Sequence, residues 1–108
     1  AAGLDGKVSL PKKAAYPVRH IYNQYCIEVS GGRRDALVAH LREIGIGCAI
    51  YYPLSLHLQK CFADLGGKPG DYPVSEAASG RIMALPIYPE STAEQRRSVV
   101  DAIAAFLK

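Results

Sequence analysis

The chain has 108 residues, a formal net charge of +3, an apolar fraction of 49% and a charged fraction of 21%. This length suits one compact domain, and the composition argues against disordered and fibrous classes. Basic residues cluster only in short pairs such as Arg33–Arg34 and Arg96–Arg97. Such pairs are too short to follow a phosphate backbone, so we expect no nucleic-acid partner.

Cysteine usage and hydropathy suggest a compartment. Cys26, Cys48 and Cys61 are odd in number and irregularly spaced, which fits a reducing environment better than a disulfide framework. The sequence shows no apolar run long enough to span a bilayer and no signal-peptide pattern. We therefore expect a cytoplasmic protein that has no contact with a membrane.

The first half of the chain predicts a strand, a helix and a second strand. Glycines and prolines over residues 1–19 predict an irregular linker, which places the domain over residues 20–108. Residues 21–29 alternate as a half-buried strand does, with Asn23 on the apolar face and Tyr22 on the face opposite Tyr25. Residues 33–44 carry a helical apolar stripe. Residues 46–52 have the composition of a strand that the following proline ends.

The second half predicts three helices and one more strand. Residues 54–65 have helical apolar spacing, and Asp71 can cap a short helix that runs to residue 81. Residues 82–87 predict a short buried strand. Ser91 and Glu94 form a capping-box pattern before a final helix with a clear apolar stripe.

This element order predicts an α/β (α+β) domain. Three strands and four helices are enough to form a small three- to four-stranded sheet, at least partly antiparallel, with helices packed on it. In such a sheet the apolar stripes of the helices and the apolar strand faces would share one core.

The residues show no complete catalytic or metal-binding set. His57 and Cys61 are four apart, but no second pair of ligands completes a metal site. Tyr51, Tyr52 and His57 place three hydrogen-bonding rings at the exit of a predicted strand, where ligand sites of open α/β sheets often lie. Packing of the two tyrosines in a core or interface would explain the same cluster.

Four blocks of sequence resemble one enzyme family. They are HIYNQYCIEV at 20–29, YYPLSLHLQKCF at 51–62, GDYPVSEAAS at 70–79 and LPIYPESTAEQ at 85–95. Their order and spacing resemble the C-terminal domain of the DegT/DnrJ/EryC1/StrS family of sugar-nucleotide aminotransferases, which use pyridoxal phosphate. The resemblance extends over about residues 10–107 and is more specific than one short motif.

The resemblance implies a fold and a chemistry for a longer protein. Members are type I fold enzymes and work as homodimers. A large N-terminal domain carries the lysine that binds pyridoxal phosphate, the cofactor that acts as electron sink. Glutamate commonly supplies the amino group to a keto-sugar nucleotide, in surface-polysaccharide or amino-sugar biosynthesis. The present chain would be the small, substrate-side domain, and its partner would be the large domain.

Carried over residue by residue, the resemblance implies substrate contacts and no catalytic residue. Tyr51, Tyr52 and His57 match the motif on the substrate side. Asn23 is a further candidate, because a polar side chain on an apolar strand face needs a partner. No lysine of this chain stands in the family's catalytic context, so we expect the chain alone to bind no pyridoxal phosphate and to be inactive.

Three residues depart from the family pattern. Tyr51 stands where many members have histidine, which resembles the subgroup that aminates the 3-position of the sugar. Ser55 replaces a common proline, and Gly67 replaces an aromatic residue. A different hypothesis is also open: a truncated gene whose product persists as a stand-alone binding or dimerisation module without catalysis.

Overall fold

Residues 3–108 are described by the structure, a computed structural model, and they form two strands, three α-helices and two 3₁₀ helices. The elements are β1 (Tyr25–Glu28), α1 (Arg34–Glu43), the first 3₁₀ helix (Leu56–Leu58), the second 3₁₀ helix (Lys60–Leu65), α2 (Pro73–Ser79), β2 (Ile82–Leu85) and α3 (Ala93–Phe106). No helix in this part of the chain is both long and apolar enough to cross a membrane.

The sheet is small and antiparallel. β1 pairs with β2 so that Ile27 lies opposite Met83, and both side chains are fully buried. A single bridge from Ser9 to Glu28 extends the free edge of β1, and a bridge from Ala49 to Ala84 extends the free edge of β2. The predicted α/β class and the antiparallel arrangement are confirmed.

The predicted strand over residues 46–52 is reduced to the bridge at Ala49. Glycine at position 47 and proline at position 53 weaken strand structure on both sides of it. In addition, the carbonyl of Cys48 accepts a hydrogen bond from Arg42 at 3.3 Å instead of from a strand. The sheet therefore has two strands with one bridge on each edge, and not three or four full strands.

One core joins the sheet to α1 and α3. Leu37 and Leu41 of α1 and Ile103 of α3 are fully buried and pack with the strand residues. Because these positions recur with helical spacing, burial of one face accounts for both helices. The guanidinium of Arg34 then links three elements, since it donates to the carbonyls of Ser79 at 3.1 Å and Ile82 at 2.8 Å.

The chain before β1 contributes to the same core. Leu4 is buried among the core residues, and Lys7 Nζ donates to the carbonyl of Leu107 at 3.5 Å. Residues 3–10 are irregular, as their two glycines predict, but they pack on α3 and pair with β1. The beginning of the described chain thus lies beside its end.

The predicted strand over residues 21–29 begins only at Tyr25. Tyr22 has a φ of 48°, which turns the backbone out of the extended region, and its ring lies 5.5 Å from the ring of Tyr25. The alternation therefore fails before β1, and the prediction that Tyr22 and Tyr25 lie on opposite faces is wrong. Ile21, expected on the buried face, is exposed.

The predicted helix over residues 54–65 is two 3₁₀ helices instead. Gln59 between them has an extended backbone with a ψ of 140°, and neither helix contains a buried residue. An apolar stripe stabilises a short α-helix only when it packs against something. Here the stripe has no such partner within the described residues, and the two shorter helices form.

The capping box of α3 lies one residue later than the sequence suggested. Thr92 Oγ1 accepts from the backbone N–H of Gln95 at 3.1 Å, and Gln95 Oε1 accepts from the N–H of Thr92 at 2.9 Å. Ser91 instead accepts hydrogen bonds from Arg96. The pair Thr92 and Gln95 satisfies the same pattern as the predicted Ser91 and Glu94, because glutamine serves at this position as well as glutamate.

Candidate functional site

Asn23 and Tyr51 line the same cavity at the end of the sheet. The cavity has a volume of about 400 Å³, and residues 47–49 and 84–87 form much of its lining. The bridge at Ala49 holds the first of these segments against β2. Two side chains that are 28 residues apart in sequence are thereby brought together.

Tyr51 also borders a second cavity, which it shares with Tyr52. This cavity measures about 350 Å³ and is closed on its far side by residues of α2. The peptide bond between the two tyrosines is cis, and their ring centroids lie 5.6 Å apart. Tyr52 is 65% exposed and Tyr51 39% exposed, so both phenols can reach a bound molecule.

His57 lies in a third cavity of about 540 Å³. Four exposed apolar or aromatic side chains line it, and we call these four residues the apolar hollow: Leu56, Phe62, Leu65 and Tyr72. Leu56 and Ser75 border both this cavity and the second one. The second cavity therefore shares lining residues with each of the other two.

The His57 side chain is itself largely enclosed. Only 11% of it is exposed, and Nε2 lies 3.0 Å from Glu76 Oε1. The ring of Tyr72 stands edge-on to the imidazole with a centroid distance of 4.8 Å. Of the four predicted site residues, His57 is the one whose side chain makes a hydrogen bond within the described residues.

Gly67 approaches His57 from the other side. A Cβ built at position 67 would lie 2.7 Å from the carbonyl oxygen of His57 and 2.9 Å from its Cβ. No side chain fits in that space without moving backbone. Glycine in place of the family's aromatic residue therefore allows the turn at residues 66–67 to pack directly on the first 3₁₀ helix.

The Ser55 side chain is buried and hydrogen-bonded. Its Oγ accepts a hydrogen bond from Ser75 Oγ at 2.9 Å. That bond joins the start of the first 3₁₀ helix to α2. A serine here replaces the rigidity of proline by a side-chain hydrogen bond between two elements.

Glu76 is a partner of His57 that no pattern in the sequence indicates. Both of its carboxylate oxygens accept from the N–H of Gly70 at 2.9 Å, and Oε1 also accepts from the N–H of Tyr72 at 3.2 Å. The Gly70 hydrogen bond, assisted by those from Tyr72 and His57, lowers the pKa of the Glu76 carboxyl despite partial desolvation. Glu76 stands within the block at 70–79, but nothing in that block indicates a contact with His57.

Asp71 does not cap α2, contrary to the prediction. Its Oδ2 accepts from the backbone N–H of Lys68 at 2.8 Å and closes a turn. α2 starts at Pro73, and the residue before it, Tyr72, is bonded by Glu76 from the first turn of the helix. A proline at the first helical position suits this start, because its missing N–H needs no partner there.

The three cavities are not lined by a residue that could bind pyridoxal phosphate covalently. The covalent bond of that cofactor needs a lysine amine, and none of the six lysines lines the three cavities at this side of residues 3–108. Within the same residues, no three histidine, cysteine or acidic side chains converge as a metal site. The arrangement offers phenols, an amide and an imidazole, which are groups that bind and orient a polar molecule.

Comparison with known proteins identifies the family. A model of the DegT/DnrJ/EryC1/StrS aminotransferase family matches residues 2–104. A pleiotropic regulatory protein of Geobacillus stearothermophilus is 45% identical over 89 residues, which cover 82% of this chain and 23% of that protein. The UDP-N-acetyl-3-dehydro-alpha-D-glucosamine 3-aminotransferase of Acidithiobacillus ferrooxidans is 36% identical over 101 residues, which cover 94% of this chain and 26% of that enzyme.

A solved structure agrees with the sequence relatives. DesV of S. venezuelae, determined in complex with a ketimine intermediate, superposes with a TM-score of 0.88 at 28% identity, covering 98% of this chain and 28% of DesV. The chain thus spans about a quarter of the length of these relatives. The family model and these relatives together show that the chain belongs to the DegT/DnrJ/EryC1/StrS aminotransferase family.

Proposed function

We propose that this chain is the small, substrate-side domain of a pyridoxal-phosphate-dependent aminotransferase that acts on a keto-sugar nucleotide. The observation that carries the proposal is the match to DesV, which covers nearly all of this chain and about a quarter of DesV. No lysine lines the three cavities that hold the predicted site residues, and the proposal places the lysine that binds the cofactor in a different part of the complete gene product.

In this proposal the chain binds and orients the substrate. Pyridoxal phosphate, when bound, supplies the electron sink for transamination. The phenols of Tyr51 and Tyr52 and the amide of Asn23 offer both donors and acceptors, which suits the hydroxyl groups of a sugar. His57 completes the substrate side at the neighbouring cavity.

Finer features of the activity extend the proposal. The relative from Acidithiobacillus ferrooxidans is named as a 3-aminotransferase, and Tyr51 has the residue type of the subgroup that aminates this position. We propose amination at the 3-position with glutamate as donor. A cytoplasmic homodimer that includes the large N-terminal domain completes the proposed enzyme.

The test removes one tyrosine hydroxyl from the complete gene product. We expect Tyr52→Phe to raise KM for the keto-sugar nucleotide by up to about tenfold, since a lost hydrogen bond costs about 0.5–1.5 kcal/mol, and to leave kcat nearly unchanged. Tyr16→Phe is the matched control, because Tyr16 lines a separate hollow with Lys13 and His20. Equal KM values for the two variants would exclude Tyr52 as a substrate contact.

The isolated 108-residue chain forms the second arm of this experiment. We expect no transamination and, after borohydride treatment with one equivalent of pyridoxal phosphate, no added pyridoxyl mass. An intact gene product no larger than this chain, or a pyridoxyl adduct that forms only on the folded chain, would contradict the proposal.

A second candidate function is a stand-alone dimerisation module. The observation that favours it is the apolar hollow, in which Leu65 is 81% exposed and Leu56 67% exposed. Exposed apolar surface of this kind marks interaction sites in soluble proteins. In the leading proposal the remainder of the gene product covers the same surface.

A further inference from the structure

The Glu76 carboxylate connects three stretches of chain beside the third cavity. It accepts hydrogen bonds from the N–H groups of Gly70 and Tyr72 and lies 3.0 Å from Nε2 of His57. The side chain of Glu76 is only 23% exposed. A carboxylate placed in this way fixes the turn at residues 70–72 and the first 3₁₀ helix relative to α2.

The charge of Glu76 determines which nitrogen of His57 carries the proton. An ionised carboxylate has only acceptor atoms, so a neutral imidazole must donate from Nε2 to form the 3.0 Å contact. Its Nδ1 is then an acceptor. The hydrogen bonds of the described residues include none to Nδ1, and no unbonded side-chain nitrogen in this part of the chain is cut off from solvent.

Two neighbours limit other orientations of the ring. The backbone of Gly67 packs against the Cβ of His57, and the Tyr72 ring stands edge-on to the imidazole. Since the ring is enclosed on these sides, a change of tautomer would leave Nε2 and a carboxylate oxygen as two facing acceptors. Such a pair is repulsive, so loss of the Glu76 charge is what would release the tautomer.

We propose that Glu76 is a positioning residue: it holds neutral His57 in the Nε2–H tautomer and the 70–72 turn in place, so that Nδ1 accepts a hydrogen bond from a hydroxyl or amide N–H of the ligand. The proposal rests on the proposed function for the identity of that ligand, a keto-sugar nucleotide. Second partners of a functional histidine commonly set its tautomer in this manner.

The first experiment tests the tautomer on the 108-residue chain without any ligand. Ring-nitrogen NMR of ¹⁵N-histidine-labelled protein, at a pH where His57 is neutral, should show Nε2–H for His57. Glu76→Gln should give a mixture of tautomers and faster amide exchange at Gly70 and Tyr72. Glu43→Gln, a change at an exposed residue of α1, is the control and should match the wild type. An unchanged tautomer and unchanged exchange in Glu76→Gln would overturn the proposal.

The second experiment tests Nδ1 in the complete gene product. His57→Gln keeps an N–H₂ group near the position of Nε2 but has no acceptor in the place of Nδ1. We expect this variant to retain slow amide exchange at Gly70 and Tyr72 while KM for the keto-sugar nucleotide rises about tenfold. An unchanged KM would overturn the assignment of Nδ1. If the wild-type gene product does not transaminate, the proposed function fails, and the NMR result still decides the role of Glu76.

Discussion

Gly67 shows how strongly one missing side chain shapes the third cavity. Its backbone lies where a Cβ would be within 3 Å of two His57 atoms. One of the two is the carbonyl oxygen, which cannot rotate away as the end of a flexible side chain could. The packing of the 66–67 turn on the first 3₁₀ helix therefore depends on glycine at this position.

We predict that Gly67→Ala destabilises the chain. The added methyl group has to displace backbone, and overpacking of this kind costs about 1–3 kcal/mol. Gly47→Ala is the matched control, because nothing lies within 4 Å of its Cβ position and its φ is compatible with a side chain. The control should be neutral or slightly stabilising.

Urea unfolding of the two alanine variants and the wild type provides the measurement. The midpoint should fall for Gly67→Ala and not for Gly47→Ala, with similar slopes for all three proteins. Equal midpoints for the two variants would mean that the turn moves aside at no cost.

At the residue scale, the sequence indicates candidate positions within a motif, but it does not show partners that are distant along the chain. The motif that resembles the family indicates Tyr51 and Tyr52, and both line cavities, while their role as substrate contacts stays a prediction. Glu76 was not chosen, because its role depends on His57, 19 residues away. Nothing in the local pattern of a short helix shows that one of its carboxylates bonds a histidine from another element.

At the scale of elements, α3 depends on its first turn. The helix has 14 residues, but only Ile103 among them is fully buried. Thr92 and Gln95 satisfy each other's backbone N–H groups, which would otherwise lack partners at the helix start. This reciprocal pair therefore stabilises the helix in addition to the core contacts of its apolar face.

We predict that Thr92→Ala lowers the free energy of unfolding by about 0.5–2 kcal/mol, the usual cost of removing an N-cap side chain. Ser91→Ala is the control at the position that sequence alone favoured, and it should cost less because Ser91 only accepts from an exposed arginine. Thermal unfolding followed by circular dichroism compares the two. A larger loss for Ser91→Ala would restore the cap to the position predicted from sequence.

Elements with a buried face were predictable, and elements without one were not. α1 and α3 follow their apolar spacing because Leu37, Leu41 and Ile103 reach the core. The stretch over residues 54–65 has the same kind of spacing, but none of its apolar side chains is fully buried, and it forms 3₁₀ helices. The spacing of apolar residues predicts an apolar helix face. The type of helix that forms depends on whether another element covers that face.

At the scale of the whole molecule, the chain leaves much apolar surface uncovered. The apolar hollow lines the cavity that contains His57, and its four side chains are all exposed. A domain that functions as part of a larger protein would have this surface covered. A domain that functions alone would cover it with a second copy.

We predict that the isolated chain self-associates through the apolar hollow at high concentration. Leu56→Ser combined with Leu65→Ser should shift the weight-average mass in sedimentation equilibrium toward the monomer, because burial of each leucine is worth about 1.5–3 kcal/mol. Val18→Ser, at an exposed position outside the hollow, is the control. A wild-type chain that stays monomeric at every concentration would eliminate the stand-alone dimerisation module.

The meeting of the irregular opening segment with the end of α3 has a consequence for engineering. Leu4 and Leu107 share one core, and Lys7 reaches the carbonyl of Leu107. A short glycine-rich linker could therefore join the two ends without crossing the cavities. New termini could then be opened between the exposed residues Lys68 and Pro69. In such a circular permutant the two segments that line the third cavity, residues 56–67 and 71–75, would no longer be joined directly. Every contact of the core could still form.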